Sequence, residues 1–328
     1  MKAPPKEVKA RILLHRRITP DYFRLRLLCP EIACLARPGQ FTMLRVSELR
    51  DPFLRRPFSF CRIFPPKGRR VRPEEEGAVE IWYKVVGRGT GLMSQLRKGQ
   101  RLDLLGPLGN GFRVAEGRKQ AILVGGGIGI APLVAWAEKL RGLGGKTKNF
   151  KEGLEVLILI GGKSPEEILG VREFKKMGFD PQVATEDGRL GMQGLATDLL
   201  ERKLLTQGHT TASIYACGPI PMLVRVAQIA DQFDLPCQVL VESRMACGVG
   251  ACLGCAVKVK EEGLGKISGA RGSLAGREEA SPECGGEESE MAASNEGLMP
   301  VIAEAPAFRY ARACKEGPVF EAREILWE

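Results

Sequence analysis

The chain holds 328 residues, 44% of them hydrophobic and 27% charged, with a formal net charge of +10. That is enough apolar surface for packed cores in two or three domains, and it excludes a disordered, collagenous or small disulfide-stapled polypeptide. The charge is lopsided, since residues 1–100 carry 22 Lys and Arg against 9 Asp and Glu, a balance of +13 that leaves −3 for the remainder; with no RNA-binding aromatic signature or paired Cys-and-His finger, this basic third does not read as a nucleic-acid module.

Residues 8–14, 22–28, 40–46, 58–63, 79–86 and 101–105 are short β-type runs separated by Gly, Pro and charge clusters. Such spacing predicts an antiparallel barrel, with one short helix near 91–96. Three groups stand out on it: Arg56-Pro57-Phe58-Ser59, Trp82-Tyr83-Lys84 and Gly89-Thr90. An Arg fork suits a diphosphate, a hydroxyl can meet a flavin ring, and a Gly-Thr opening a helix offers amides to a phosphate. Taken singly, each also reads as a solvated charge or a helix cap.

The texture changes after the turn at 106–112. From Gln120 onward buried-strand runs (AILVGG, LEVLILIGG, PQVAT, SIYACGP, CQVLVES) alternate with helical stretches (APLVAWAEKL, PEEILGVREFKKM, PMLVRVAQIADQF). This alternation predicts a parallel sheet covered by helices on both faces. Gly125-Gly126-Gly127-Ile128-Gly129-Ile130-Ala131-Pro132 joins a strand to a helix, where glycines let a dinucleotide diphosphate approach the backbone and Pro132 opens the helix. No register of it gives G-x-G-x-x-G, and the Gly-Lys-Thr and Gly-Lys-Ser triplets ending at Thr147 and Ser164 lack the first glycine of a P-loop. The run 120–137, the longest without charge, contains four glycines and a proline; it does not read as a membrane helix, and the N-terminus has no apolar signal segment, so a cytoplasmic protein is expected.

The third region, from Glu242, contains Cys247-x4-Cys252-x2-Cys255 with Cys314 far downstream. Soft thiolates at this spacing match a plant-type [2Fe-2S] site, and Gly248, Gly250 and Gly254 allow the backbone to wrap a cluster and aim amides at sulfur. A structural zinc or a redox pair at Cys252 and Cys255 are the other readings. Cys284 competes with Cys314 as fourth ligand, but lies in a Gly, Ser, Ala and Glu-rich stretch, 261–308, read as a mobile insertion. Only two histidines, His15 and His209, are present, and no hydrolase or zinc-protease motif accompanies them, so cofactor chemistry is expected in place of acid, base or nucleophile catalysis.

RPFS on a barrel strand, GPLGNGF, GGGIGIAP and YACGP together resemble the ferredoxin-NADP reductase superfamily. ESRMACGVGACLGC with CKEGPVF closely resembles the electron transfer subunits of type B dihydroorotate dehydrogenases. The resemblance implies a multidomain β + α/β protein: an antiparallel FAD-binding β-barrel over 1–112, a parallel-sheet NAD-binding domain over 113–241 and a small [2Fe-2S] domain over 242–328. By motif position it implies FAD contacts from Arg56, Pro57, Phe58, Ser59, Trp82, Tyr83, Lys84, Gly89 and Thr90. NAD(H) contacts would come from Gly126, Gly127, Gly129, Pro132, Cys217, Gly218 and Pro219, and cluster ligands from Cys247, Cys252, Cys255 and Cys314. It further implies an FMN-containing catalytic subunit as partner, in a heterotetramer of two of each chain, with electrons from dihydroorotate leaving as NADH in pyrimidine biosynthesis. Relatives join the third and fourth cysteines by a short connection, whereas 58 residues intervene here. The rival readings are a flavin and iron-sulfur subunit of a ferredoxin-NADP transhydrogenase, hydrogenase or sulfite reductase, and a zinc-stapled binding module. Preference for NAD over NADP is left open by Lys163 and Ser164 at the end of the second parallel strand.

Overall fold

The computed structural model describes residues 4–47, 51–66, 76–143, 154–207, 211–261 and 307–327. Its first part contains β1 (Lys6–Thr19), β2 (Tyr22–Leu28), the single turn α1 (Pro30–Ala33), β3 (Phe41–Arg45), β4 (Arg56–Ser59), β5 (Arg62–Phe64), β6 (Ala78–Lys84), α2 (Arg88–Ser94) and β7 (Arg101–Leu108). The strands form one seven-stranded antiparallel sheet in the order β4-β3-β7-β1-β2-β6-β5. Strand alternation decides its two faces. Phe23, Leu25 and Leu27 of β2 join Val79, Ile81 and Tyr83 of β6 in the barrel core, while Tyr22, Arg24, Arg26, Glu80 and Trp82, in the alternate register, form the other face. The single strand expected at 58–63 is two, because β4 pairs with β3 while β5 pairs with β6 at the opposite edge.

The second part contains β8 (Gln120–Gly126), α3 (Ile130–Leu143), β9 (Glu155–Gly162), α4 (Val171–Lys176), β10 (Gln182–Thr185), β11 (Met192–Gln193), α5 (Ala196–Gln207), β12 (Ala212–Cys217), α6 (Ile220–Gln232) and β13 (Cys237–Leu240). With β16 (Val319–Glu321) from the C-terminal part, the strands build a sheet in the order β11-β10-β9-β8-β12-β13-β16, parallel throughout except for its last pair. Every residue of β8 is buried. Leu123 packs on the α3 side with Trp136 and Phe174, and Ile122 and Val124 pack on the α5 and α6 side with Leu200 and Val226, as a strand covered on both faces requires. The helical stretch expected over PEEILGVREFKKM is a 3-10 turn at Pro165–Glu167 and a short α4. Gly170, with φ of +81°, separates them in a left-handed conformation that interrupts a helix.

The last part contains β14 (Ala256–Lys260), β15 (Phe308–Arg312) and β16 (Val319–Glu321). The first two form an antiparallel pair. The third pairs with β13, so the C-terminal segment returns to the nucleotide-domain sheet after the cluster lobe. The insertion expected at 261–308, with Cys284, lies almost wholly outside the described residues. One apolar cluster runs from Phe41 and Met43 of the barrel through Val239 of the nucleotide sheet to Cys255 and Cys314, seating the lobe on both neighbours.

Candidate flavin cavity and cysteine loop

A cavity of about 470 Å³ opens where β4, the β6–α2 turn, the start of α3 and the end of β13 meet. Arg56, Pro57, Phe58, Ser59, Trp82, Tyr83, Lys84, Gly89 and Thr90 all line it. Phe58 stands edge-on to Tyr83 at 6.0 Å. The Tyr83 hydroxyl is 2.9 Å from His15 Nε2, and His15 Nδ1 lies 2.7 Å from the Leu96 carbonyl oxygen. Since that carbonyl only accepts, Nδ1 carries the proton and the Tyr83 hydroxyl donates to Nε2.

The residues fit a diphosphate-bearing flavin. A Cβ on Gly89 would lie in ordinary contact with Arg56 Nε, at 3.4 Å, so the guanidinium lies against the first turn of α2; its Nη1 donates to the Leu54 carbonyl at 2.6 Å, and both Arg56 and Gly89 face the cavity. Thr90 plays a different part: its Oγ1 accepts from the amides of Val86 at 2.9 Å and Gly87 at 3.2 Å, which caps the helix. The polar end of Trp82 is also committed. Its indole N–H donates to Glu80 at 2.9 Å and Arg24 lies over its ring at 5.1 Å.

The glycine-rich turn after β8 meets the turn after β12 at the point where the strand order reverses, the place where open α/β sheets bind ligands. Gly126 and Gly129 are small because the turns interlock. A Cβ on Gly126 would sit 2.7 Å from Met222 Sδ and 3.0 Å from Pro219, and one on Gly129 would overlap the backbone of Cys217 and Gly218. Gly127, at φ of +53°, faces open space. Pro132 and Cys217 line the cavity, whereas Gly126, Gly127, Gly129, Gly218 and Pro219 stand beside it. Burial, with a contribution from Glu242, holds the Cys217 thiol well above its usual pKa.

Glu242, Ser243 and Met245 also line the cavity. Glu242 is open to solvent through the cavity mouth but walled by protein elsewhere, and this desolvation raises its carboxyl above the usual range. The motif ESRMACGVGACLGC contains these residues but gives them no cavity role; their position directly after the last parallel strand is the signal for one.

Two residues beyond Met245 begins the cysteine loop. Gly248 and Gly250 take φ of +73° and +84°, and Leu253 takes +59°. A Cβ on Gly248 would lie 2.5 Å from Met43 Cγ, so glycine seats the loop directly on the barrel. Cys247 Sγ accepts from the amides of Val249 and Cys252, both at 3.4 Å, and Cys255 Sγ accepts from the Cys314 amide at 3.4 Å. The thiols fall into two pairs, Cys247 with Cys252 and Cys255 with Cys314. Burial opposes ionisation of Cys247, but the amides of Cys252 and Val249 outweigh it and bring the thiol down to about 6. Burial and then Cys255 push the Cys314 thiol up to about 12. Among the described residues no three His, Cys, Asp or Glu side chains converge as a single ion requires. Four cysteines in this order are the ligand number and spacing of a [2Fe-2S] cluster. Cys252 is exposed, while Cys255 and Cys314 are buried.

Residues 242–267 match the iron-sulfur cluster binding domain of dihydroorotate dehydrogenase B. A dihydroorotate dehydrogenase B (NAD(+)) electron transfer subunit of Desulforamulus reducens is 32% identical over 97% of this chain and 98% of its own length. The chain belongs to the dihydroorotate dehydrogenase B electron transfer subunit family. A second such subunit, from Caldanaerobacter subterraneus, is 32% identical over 98% of this chain and 99% of its own. The fold of the family also appears in the solved structure of an NADH-dependent reduced ferredoxin-NADP oxidoreductase, with TM-score 0.68 and 25% identity over 98% of this chain and 90% of that one. A ferredoxin NADP+ reductase from Neisseria gonorrhoeae shares the fold over 70% of this chain and 92% of its own, with TM-score 0.54 and 20% identity. Among the described residues no helix is long and apolar enough to cross a membrane.

Proposed function

We propose that this chain is the electron transfer subunit linking an FMN-containing dihydroorotate dehydrogenase catalytic subunit to NAD(H), in pyrimidine synthesis, with FAD in the cavity and a [2Fe-2S] cluster on the cysteine loop. FAD, when bound, exchanges electron pairs with a nicotinamide and single electrons with a cluster, which is the chemistry such a relay needs.

The observation that carries this reading is the segment from Glu242 to Cys247. Met245 lines the cavity, and Cys247, which would supply a cluster thiolate, follows two residues later. Two residues of chain reach at most about 7 Å, so one stretch of backbone holds both redox sites within a short electron-transfer distance. Arg56 and the α2 amides would hold the diphosphate of FAD, with Phe58, Ser59 and Tyr83 around the ring. Gly127 and Pro132 would admit the nicotinamide nucleotide to the same cavity from the switch point, where Cys217, kept as a neutral thiol, adds no charge.

Cys247, Cys252, Cys255 and Cys314 would hold the cluster. Around exposed Cys252 stand Val249 and Leu253, 46% and 65% exposed. Apolar side chains left beside an electron-entry point favour docking of the catalytic subunit there, in a heterotetramer of two of each chain. The cytoplasm is the compartment that suits reduced thiols and a nicotinamide nucleotide.

The test is an anaerobic assay of the FAD- and cluster-loaded chain with dihydroorotate and NAD+. NADH should form only after the catalytic subunit is added; formation by the chain alone would overturn the division of labour.

A further inference from the structure

Behind the flavin cavity, between the barrel and the nucleotide domain, lie two recesses of about 400 and 510 Å³. They are one groove, since Arg24, Glu173 and Lys176 line both. The groove has no lining residue in common with the flavin cavity. Between them stands the 3.0 Å Lys84–Glu167 ion pair, with Lys84 on the cavity wall and Glu167 just ahead of Ile168 on the groove wall.

Its walls are strongly cationic. Arg16, Arg24 and Arg62 enter from the barrel, and Arg141, Arg172 and Lys176 from α3 and α4; Arg17 is at the edge, its guanidinium over the Phe23 ring at 5.3 Å on the other face of the sheet. The carboxylates in the lining are Glu138 and Glu173, and both are already paired, Glu138 with Arg62 at 2.6 Å and Glu173 with Arg24. Behind the groove, fully buried Glu80 balances Arg26 at 2.6 Å and contacts Arg24 Nε at 3.4 Å. Arg16, Arg172 and Lys176 form no ion pair among the described residues, and Arg141 acts on Glu138 only at longer range than the Arg62 contact. Half-buried Arg24 and Arg62 make the floor, and the unpaired cations make an exposed rim.

Gathering unpaired cations from two domains around one recess works against association of those domains, unless an anion occupies it. Guanidinium forks bind phosphoryl oxygens two at a time, and several of them at different heights suit a chain of phosphates better than a single carboxylate. The recess volumes are those of a small-molecule site and not of a flat protein interface. We propose that this groove is a second anion site, distinct from the FAD and nicotinamide sites, that binds a small polyphosphate-bearing ligand. Bound there, the ligand ties Arg16 of the barrel to Arg172 and Lys176 of the nucleotide domain and steadies their relative placement.

The same chemistry comes from a nucleoside triphosphate or from free polyphosphate. The experiment therefore titrates sodium tripolyphosphate, and separately UTP, into the full chain loaded with FAD and its cluster. Saturating NAD+ is present, and calorimetry and thermal melting are read at low ionic strength. Saturable binding of one tripolyphosphate per chain, with a raised melting temperature, is expected. In Arg16→Gln/Arg172→Gln/Lys176→Gln the affinity should fall at least roughly tenfold, and in Lys176→Gln alone by a smaller factor. Equal affinities for the two probes identify the phosphate chain as what is recognised, and tighter UTP shows that the nucleoside contributes as well. Absence of saturable binding in the presence of NAD+, or equal binding by the variants, would overturn the proposal. So would a variant that loses only its association with the catalytic subunit.

Discussion

Cys314 stands beside Cys255 because the chain turns back after β15, and the Cys314 amide donates to the Cys255 sulfur at 3.4 Å. Cys314→Ser is therefore expected to lower iron content sharply, whereas Cys284→Ser leaves it unchanged; iron analysis of the two variants checks this. Glu80 is a different kind of residue. Fully buried, it accepts from Arg26 at 2.6 Å and from the Trp82 indole at 2.9 Å. Removing one partner of such a buried pair strands the other, so Glu80→Ala should cost about 3–5 kcal/mol, measured by denaturant unfolding of the FAD-loaded chain. Glu242 has the opposite sign. Its carboxyl is raised by desolvation, so ionisation is easier in the unfolded chain, and its contribution to stability is present at low pH and declines as pH rises through the folded value. Glu242→Gln should flatten the fall in melting temperature above the ordinary carboxylate range. An unchanged slope would show that Glu242 is solvated.

Among the elements, the most legible were those whose signal is local. The β-type run at 22–28 matches β2 at both ends, and the spacing of Cys247, Cys252 and Cys255 marks the cysteine loop. What sequence could not reveal depends on partners distant in the chain. The division of 58–63 into β4 and β5 follows from which edge each strand finds. The return of β16 to β13 requires the C-terminus to cross from the cluster lobe to another sheet. Gly126 and Gly129 read as nucleotide-contacting glycines, yet their closest neighbours are Met222, Pro219 and Cys217, since two turns must interlock at the switch point. The cysteine loop is itself an element held by one contact of this kind. Gly248→Ala adds a Cβ against Met43 and forces a side chain into the left-handed region, a conformational cost of roughly 1–2 kcal/mol. The variant should melt lower and hold less iron, and normal values for both would show that the loop does not rest on the barrel.

For the whole molecule, the arrangement is one of adjacency. The barrel brings Arg56, Phe58 and Tyr83, the nucleotide domain brings Pro132 and Cys217, and the segment after β13 brings Met245, all to a single cavity. That segment then continues into the cysteine loop, so cavity and loop are coupled by covalent backbone as well as by packing. Electrons entering at the cavity should therefore reach the loop without a partner. The direct measurement is an anaerobic absorbance and electron paramagnetic resonance titration of the purified chain with NADH. About two irons and one FAD per chain should be present, and NADH should reduce both the flavin and the cluster in the absence of any other protein. A flavin reduced by NADH beside a cluster that stays oxidised would contradict the coupling, and a colourless, zinc-containing chain would contradict the assignment of the cysteine loop itself.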